Sequence, residues 1–144
     1  MKSDVLKFLI PDDSEVLEIP LASNPVSAGF PSPADDFQED KISLDKYVVK
    51  NKDATFYARL KGTSMVEAGF DEGDILVIDR SLEPTDNKIA VCFVDGDFTV
   101  KRVRVNTDGV WLIPYNEKFK PIRITEETRF EIWGIVTYII KKVV

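Results

Sequence analysis

Two residues far apart in this 144-residue chain could form a chemical pair. Ser64 lies in "KGTSMVEAGF", where a strand-like alternation ends at Gly62 and a turn begins. Lys101 lies in "DFTVKRV", just past an Asp-Gly turn. A serine hydroxyl becomes a good nucleophile when an adjacent base takes its proton. The chain has no histidine, so Ser-His-Asp and Cys-His catalysis are excluded, as is the usual zinc-hydrolase chemistry. Lysine is then the leading candidate base. By alternation Lys101 shares a strand face with Thr99 and Val103, while Phe98, Val100 and Arg102 face the other way. Both faces hold apolar residues, so the amine can sit in an apolar setting. Burial disfavours the charged form of lysine and lowers its pKa, and the neutral amine can accept the Ser64 proton. Backbone N–H groups of Thr63 and Ser64 could face a substrate carbonyl and stabilise a developing oxyanion. The plainer readings are an N-cap serine and a solvated strand lysine.

Other candidates carry less. "SLDK", residues 43 to 46, matches the S-x-x-K of β-lactamases and penicillin-binding proteins. Those enzymes need a larger chain and a K-T-G element that is missing here, and Asp45 beside Lys46 favours its charged form. Glu67, Asp71, Glu72 and Asp74 do not have the spacing of a calcium loop and read as solvated carboxylates on a turn, so no metal is expected. Cys92, in "IAVCFV", reads as a buried, inert thiol. As a single cysteine it cannot form an internal disulfide, which fits a reducing cytoplasm. The formal charge of −6 repels phosphate backbones, so direct DNA binding is not expected. No apolar run approaches the roughly 20 residues of a membrane span.

"NPVSAGFPSP", residues 24 to 33, has the small-residue pattern that leader-processing enzymes cut. Yet Lys7 interrupts "VLKFLI", and Asp12, Asp13, Glu15 and Glu18 follow, so the preceding stretch is no secretory signal.

The elements that must position Ser64 and Lys101 are mostly strands. Residues 1 to about 30 read as an arm broken by Pro11, Pro20 and Pro25, with one strand in "SEVLEIPL". "SPADDF" has the signals of a short helix starting at Ser32, and "SLDKYVVKN" of another helical turn or two. From residue 54 the pattern is β. "ATFYARLKG" alternates, "DILVID" reads as a buried strand, and "IAVCFVDGDFTVKRVRV" reads as a hairpin turning at Asp95-Gly96. "RVRVNTDGVWLIP" reads as the same device at Asp108-Gly109, and "FEIWGIVTYIIKKVV" as a long closing strand. The expected fold is mostly β: a compact twisted-sheet sandwich or partly closed barrel, with a short helical segment and an extended N-terminal arm.

"AGFPSPADDF", "GTSM", "GDILVID" and "DGDFTVKRV", in that order and spacing, resemble the LexA/UmuD family of self-cleaving serine peptidases (peptidase family S24). The resemblance covers nearly the whole chain. It implies a LexA-like peptidase fold, Ser64 as nucleophile, Lys101 as general base and Ala28-Gly29 as the scissile bond. Residues 1-28 would then be the arm removed by self-cleavage and residues 29-144 the peptidase domain. Small residues before the bond suit a narrow site, and Gly29 permits close backbone approach. An arm too short for a DNA-binding domain, on an acidic chain, points to the UmuD branch. That branch implies stimulation by a RecA filament on single-stranded DNA. It also implies a shortened homodimer that joins a UmuC-type subunit as a translesion polymerase, with no cofactor. The competing reading is a non-catalytic β scaffold that regulates a DNA repair partner through its arm.

Overall fold

Period-two patterning becomes ten strands among the described residues. The computed structural model describes residues 5–12, 14–22, 28–29 and 39–144. The backbone divides into two units, Met1–Pro11 with Asn51–Val144, and Asp12–Lys50.

The first unit is built on one sheet. Its strands are β1 (Val5–Leu9), β4 (Thr55–Lys61), β5 (Ile75–Asp79), β6 (Ile89–Val94), β7 (Asp97–Asn106), β8 (Gly109–Ile113), β9 (Ile122–Arg123) and β10 (Phe130–Ile140). Their order is β1-β4-β5-β10-β6-β7-β8-β9, every pairing is antiparallel, and the sheet curls into a half-barrel. This is the mostly β, partly closed barrel expected from the sequence. In the second unit, β2 (Ile19–Ala22) pairs with β3 (Glu39–Ile42), and the short helix α1 (Leu44–Val48) follows. Among the described residues no helix is long and apolar enough to cross a membrane.

Apolar residues on the two sides of β6 feed two clusters. Val91 packs with Ala58, Leu76, Ile78 and Val100. Ala90, Cys92 and Val94 pack with Val103, Leu112 and Ile135. Strand β7 contributes to both, so a polar side chain on it can be enclosed.

One expected hairpin forms as the sequence predicts, and several other local elements differ from their expected form. The β6–β7 hairpin turns at Asp95 (φ 47°) and Gly96 (φ 94°), both left-handed as a type I′ turn requires. The next hairpin does not repeat that device. Asn106 pairs with Gly109, so Thr107 and Asp108 form the loop; only Gly109 has positive φ, and the Asn106 side chain accepts from the Asp108 N–H at 2.8 Å. The arm carries a strand not expected from the sequence. Val5–Leu9 pairs with β4, and the Phe8 ring packs against Phe98 and Trp133 at 5.2 and 4.6 Å. The strand read from "SEVLEIPL" is confined to β2, beginning at Ile19. The helix read from "SPADDF" lies outside the described residues.

The turn carboxylates are not all solvated either. Asp74 is buried. It accepts from the Asp71 N–H at 2.8 Å and from Lys141 Nζ at 2.5 Å, while Lys141 also meets Asp71 at 2.7 Å. Bonds to Asp71 and Asp74 hold the Lys141 pKa above its ordinary value.

Strand β10 runs beside β5 with almost no clearance at Gly134. A Cβ there would lie 2.5 Å from Ile78 Cγ2 and 3.2 Å from Arg80 Cγ. Arg80 cannot easily yield, because its Nε donates to the Trp133 carbonyl at 2.9 Å and its guanidinium stacks on that indole at 4.4 Å. Gly134→Ala is therefore expected to destabilise the fold by about 1–3 kcal/mol, read as a lower midpoint in urea or thermal unfolding. An unchanged midpoint would show that the Ile78 and Arg80 side chains can give way.

Candidate active site

Strand β4 ends at Lys61 and the chain turns sharply at Gly62 (φ 135°). Thr63, Ser64 and Met65 follow, then one 3-10 turn, Val66–Ala68, closed by Gly69 (φ 88°). Ser64 is not the cap of this turn. Met65 holds that position, and no side chain caps it. The Ser64 side chain points inward instead and is 1% exposed.

Lys101 reaches the same place from β7, where it pairs with Ala90 of β6. It is 0% exposed. Its Nζ lies 2.8 Å from Ser64 Oγ. The amine also donates to Thr99 Oγ1 and, at 3.2 Å, to the Val100 carbonyl. The Ser64 hydroxyl lies 3.5 Å from that same carbonyl. Residues 37 positions apart are thus brought into hydrogen-bond contact inside the protein. Enclosure makes an ammonium costly. With the amine neutral, the 2.8 Å line can carry the hydroxyl proton to nitrogen, leaving an alkoxide-like oxygen.

The carbonyls on either side of Ser64 are held by the loop after β8. The Tyr115 N–H donates to the Ser64 carbonyl at 2.7 Å. Asn116 Nδ2 donates to the Thr63 carbonyl at 2.9 Å, and the Val66 N–H donates to it at 3.2 Å. The Arg102 guanidinium lies 4.8 Å from the centre of the Tyr115 ring.

The Peptidase S24-like family pattern matches residues 20–137, so it spans the Ser64 turn and β7 together. The chain belongs to the peptidase S24 family. It is 37% identical to Protein MucA of Escherichia coli over 139 residues, 96% of this chain and 93% of MucA. Protein SamA of Salmonella typhimurium is 38% identical over 123 residues, 85% of each chain. The LexA repressor of Carboxydothermus hydrogenoformans is 36% identical over 117 residues, 80% of this chain and 56% of the repressor.

Ala28 and Gly29 lie in a bend of the second unit, both exposed, and a Cβ on Gly29 would meet nothing. Ser43 precedes α1, and its side chain makes no cap bond. Burial pushes the Cys92 thiol up to about 12. It is an unreactive core group. Thr99, Tyr115 and Asn116 were not singled out by sequence. Thr99 was legible in principle, since it stands two residues from Lys101 on the same strand face. Tyr115 and Asn116 lie in "IPYNEKFKP", which reads only as a turn.

Proposed function

We propose that this chain is a self-cleaving serine peptidase of the UmuD type, with Ser64 and Lys101 as its catalytic dyad and Ala28-Gly29 as the bond it cuts. The buried 2.8 Å contact between Lys101 Nζ and Ser64 Oγ carries the reading. Neutral Lys101 takes the Ser64 proton as Oγ attacks the Ala28 carbonyl carbon. The resulting oxyanion is met by the N–H groups of Thr63 and Ser64. The protonated amine then gives its proton to the departing Gly29 nitrogen, and residues 1–28 stay joined to Ser64 as an ester. Water attacks that ester while Lys101 takes a water proton. Ser64 leaves with a proton and Ala28 is released as a carboxylate.

The LexA and MucA relatives support a place in the DNA-damage response. In this reading a RecA filament on single-stranded DNA steadies the arm in the site and adds no catalytic group. The shortened chain, residues 29–144, acts in the cytoplasm as a homodimer and joins a UmuC-type polymerase subunit. The removed piece contains β1, so its departure would unpair the Thr55–Lys61 edge. The test is incubation of the full chain at alkaline pH, or with RecA, single-stranded DNA and a nucleotide, followed by intact mass. Two fragments divided at residue 28 support the reading, and an intact chain under both conditions removes it.

Gly29→Glu separates the bond from the dyad. With open space at this Cβ, the fold is expected to be unaffected. A bulky anion beside the bond would clash with close approach and be poorly solvated in the site. Self-cleavage should fall by about 100-fold or more, since misplacement by about 1 Å costs that much. The dyad should still cut a supplied arm peptide. Self-cleavage at the parental rate would place the bond elsewhere.

A further inference from the structure

We propose that Asn116 is a positioning residue for the oxyanion site: it anchors the Thr63 carbonyl and thereby aims the Ser64 N–H at the reacting carbonyl oxygen. The inference rests on the dyad reading above.

A trans peptide is planar, with its C=O and N–H on opposite sides. Fixing the Thr63 carbonyl therefore fixes the direction of the Ser64 N–H. That carbonyl accepts from Asn116 Nδ2 at 2.9 Å on one line and from the Val66 N–H at 3.2 Å on another. The next carbonyl along, that of Ser64, is held at 2.7 Å by the N–H of the adjacent Tyr115. Two consecutive residues of one loop thus grip both peptides that flank the nucleophile.

The grip is itself braced. The Glu67 N–H donates to the Tyr115 carbonyl at 2.7 Å, and the Glu117 N–H donates to Glu67 Oε1 at 3.3 Å. Asn116 Oδ1 accepts from the Lys118 N–H at 3.0 Å, and the Asn116 carbonyl accepts from the Phe119 N–H at 3.0 Å. The Lys118 bond assigns the amide: its oxygen faces Lys118, so its NH2 must face Thr63. Asparagine is suited to the place because it supplies an acceptor to its own loop and a donor to the nucleophile turn at once.

Such a residue touches neither Lys101 nor the proton being moved. It should change the height of the pH–rate curve and leave its midpoint alone. Asn116→Asp keeps the acceptor for Lys118 and removes the donor. Asn116→Ala removes both without adding charge. In the full chain, the alkaline plateau of self-cleavage should fall about 10- to 100-fold in both variants, short of the 10²–10³ lost when an oxyanion donor itself is deleted. The Asn116→Ala midpoint should match the parent, and melting should remain cooperative. Parental rates in either variant would overturn the inference, as would a displaced midpoint in Asn116→Ala or loss of the fold in both. These results would reassign Asn116 to a bystander, to dyad geometry or to structure. Absence of cleavage in the parent chain would remove the dyad reading and this inference together.

Discussion

Lys101→Ala is expected to abolish self-cleavage at every pH, and with it the rise in rate toward alkaline conditions. Only an unprotonated amine can take the Ser64 proton. Enclosure of Lys101 disfavours the ammonium form. The sign follows directly: raising the pH removes the proton that blocks the base. The parent rate should therefore climb from neutral into the alkaline range and level off once the amine is fully neutral. Positioned general bases contribute about 10²–10⁴ in rate, and losing one that activates a nucleophile should cost at least the upper figure. Alanine also leaves a cavity beside Thr99 and Val100, so Lys101→Met is the companion variant, nearer in volume and unable to accept a proton. Both should fold by circular dichroism and both should fail to cut. A variant that still cuts faster at high pH would show that another group is the base.

Ser64→Ala should leave the chain intact under all conditions, a loss of about 10⁶ by the scale of other serine peptidases. The substitution deletes one buried oxygen and changes little else. Lys101 keeps Thr99 Oγ1 and the Val100 carbonyl as partners, and Met65 beside the turn stays in the core. Stability should thus change far less than activity, which separates loss of chemistry from loss of fold. The same protein offers a control for mixing experiments, since its arm remains a possible substrate for an active copy. Cutting of the Ser64→Ala chain on its own would remove this serine from the mechanism.

Where the fold was legible in the sequence, short-range rules were enough. Asp95-Gly96 announces its own turn because the left-handed geometry is a property of those two residues. The candidate dyad was legible for a different reason: the absence of histidine made lysine the leading candidate base, and the family resemblance of "GTSM" and "DGDFTVKRV" singled out Ser64 and Lys101. What was not legible depends on distant partners. Val5–Leu9 becomes a strand through β4, some fifty residues on, and its apolar run is broken by the exposed Lys7. Asp74 is buried because Lys141 arrives from the far end of the chain. Asn116 looks like any turn asparagine until the fold brings Thr63 beneath its amide. The Asp108-Gly109 turn failed through register. Pairing of Asn106 with Gly109 sets the loop one residue back, at Thr107 and Asp108, a register that the Asp-Gly pair alone does not specify.

In the proposed reaction Ser64 cuts the bond after Ala28. N-terminal sequencing of the large product tests it most directly. The full-length parent and the Ser64→Ala chain would each be incubated with RecA, single-stranded DNA and a nucleotide. A new N-terminus at Gly29 is expected in the parent and none in Ser64→Ala. A product beginning at any other residue, or a Gly29 terminus in the alanine variant, would contradict it.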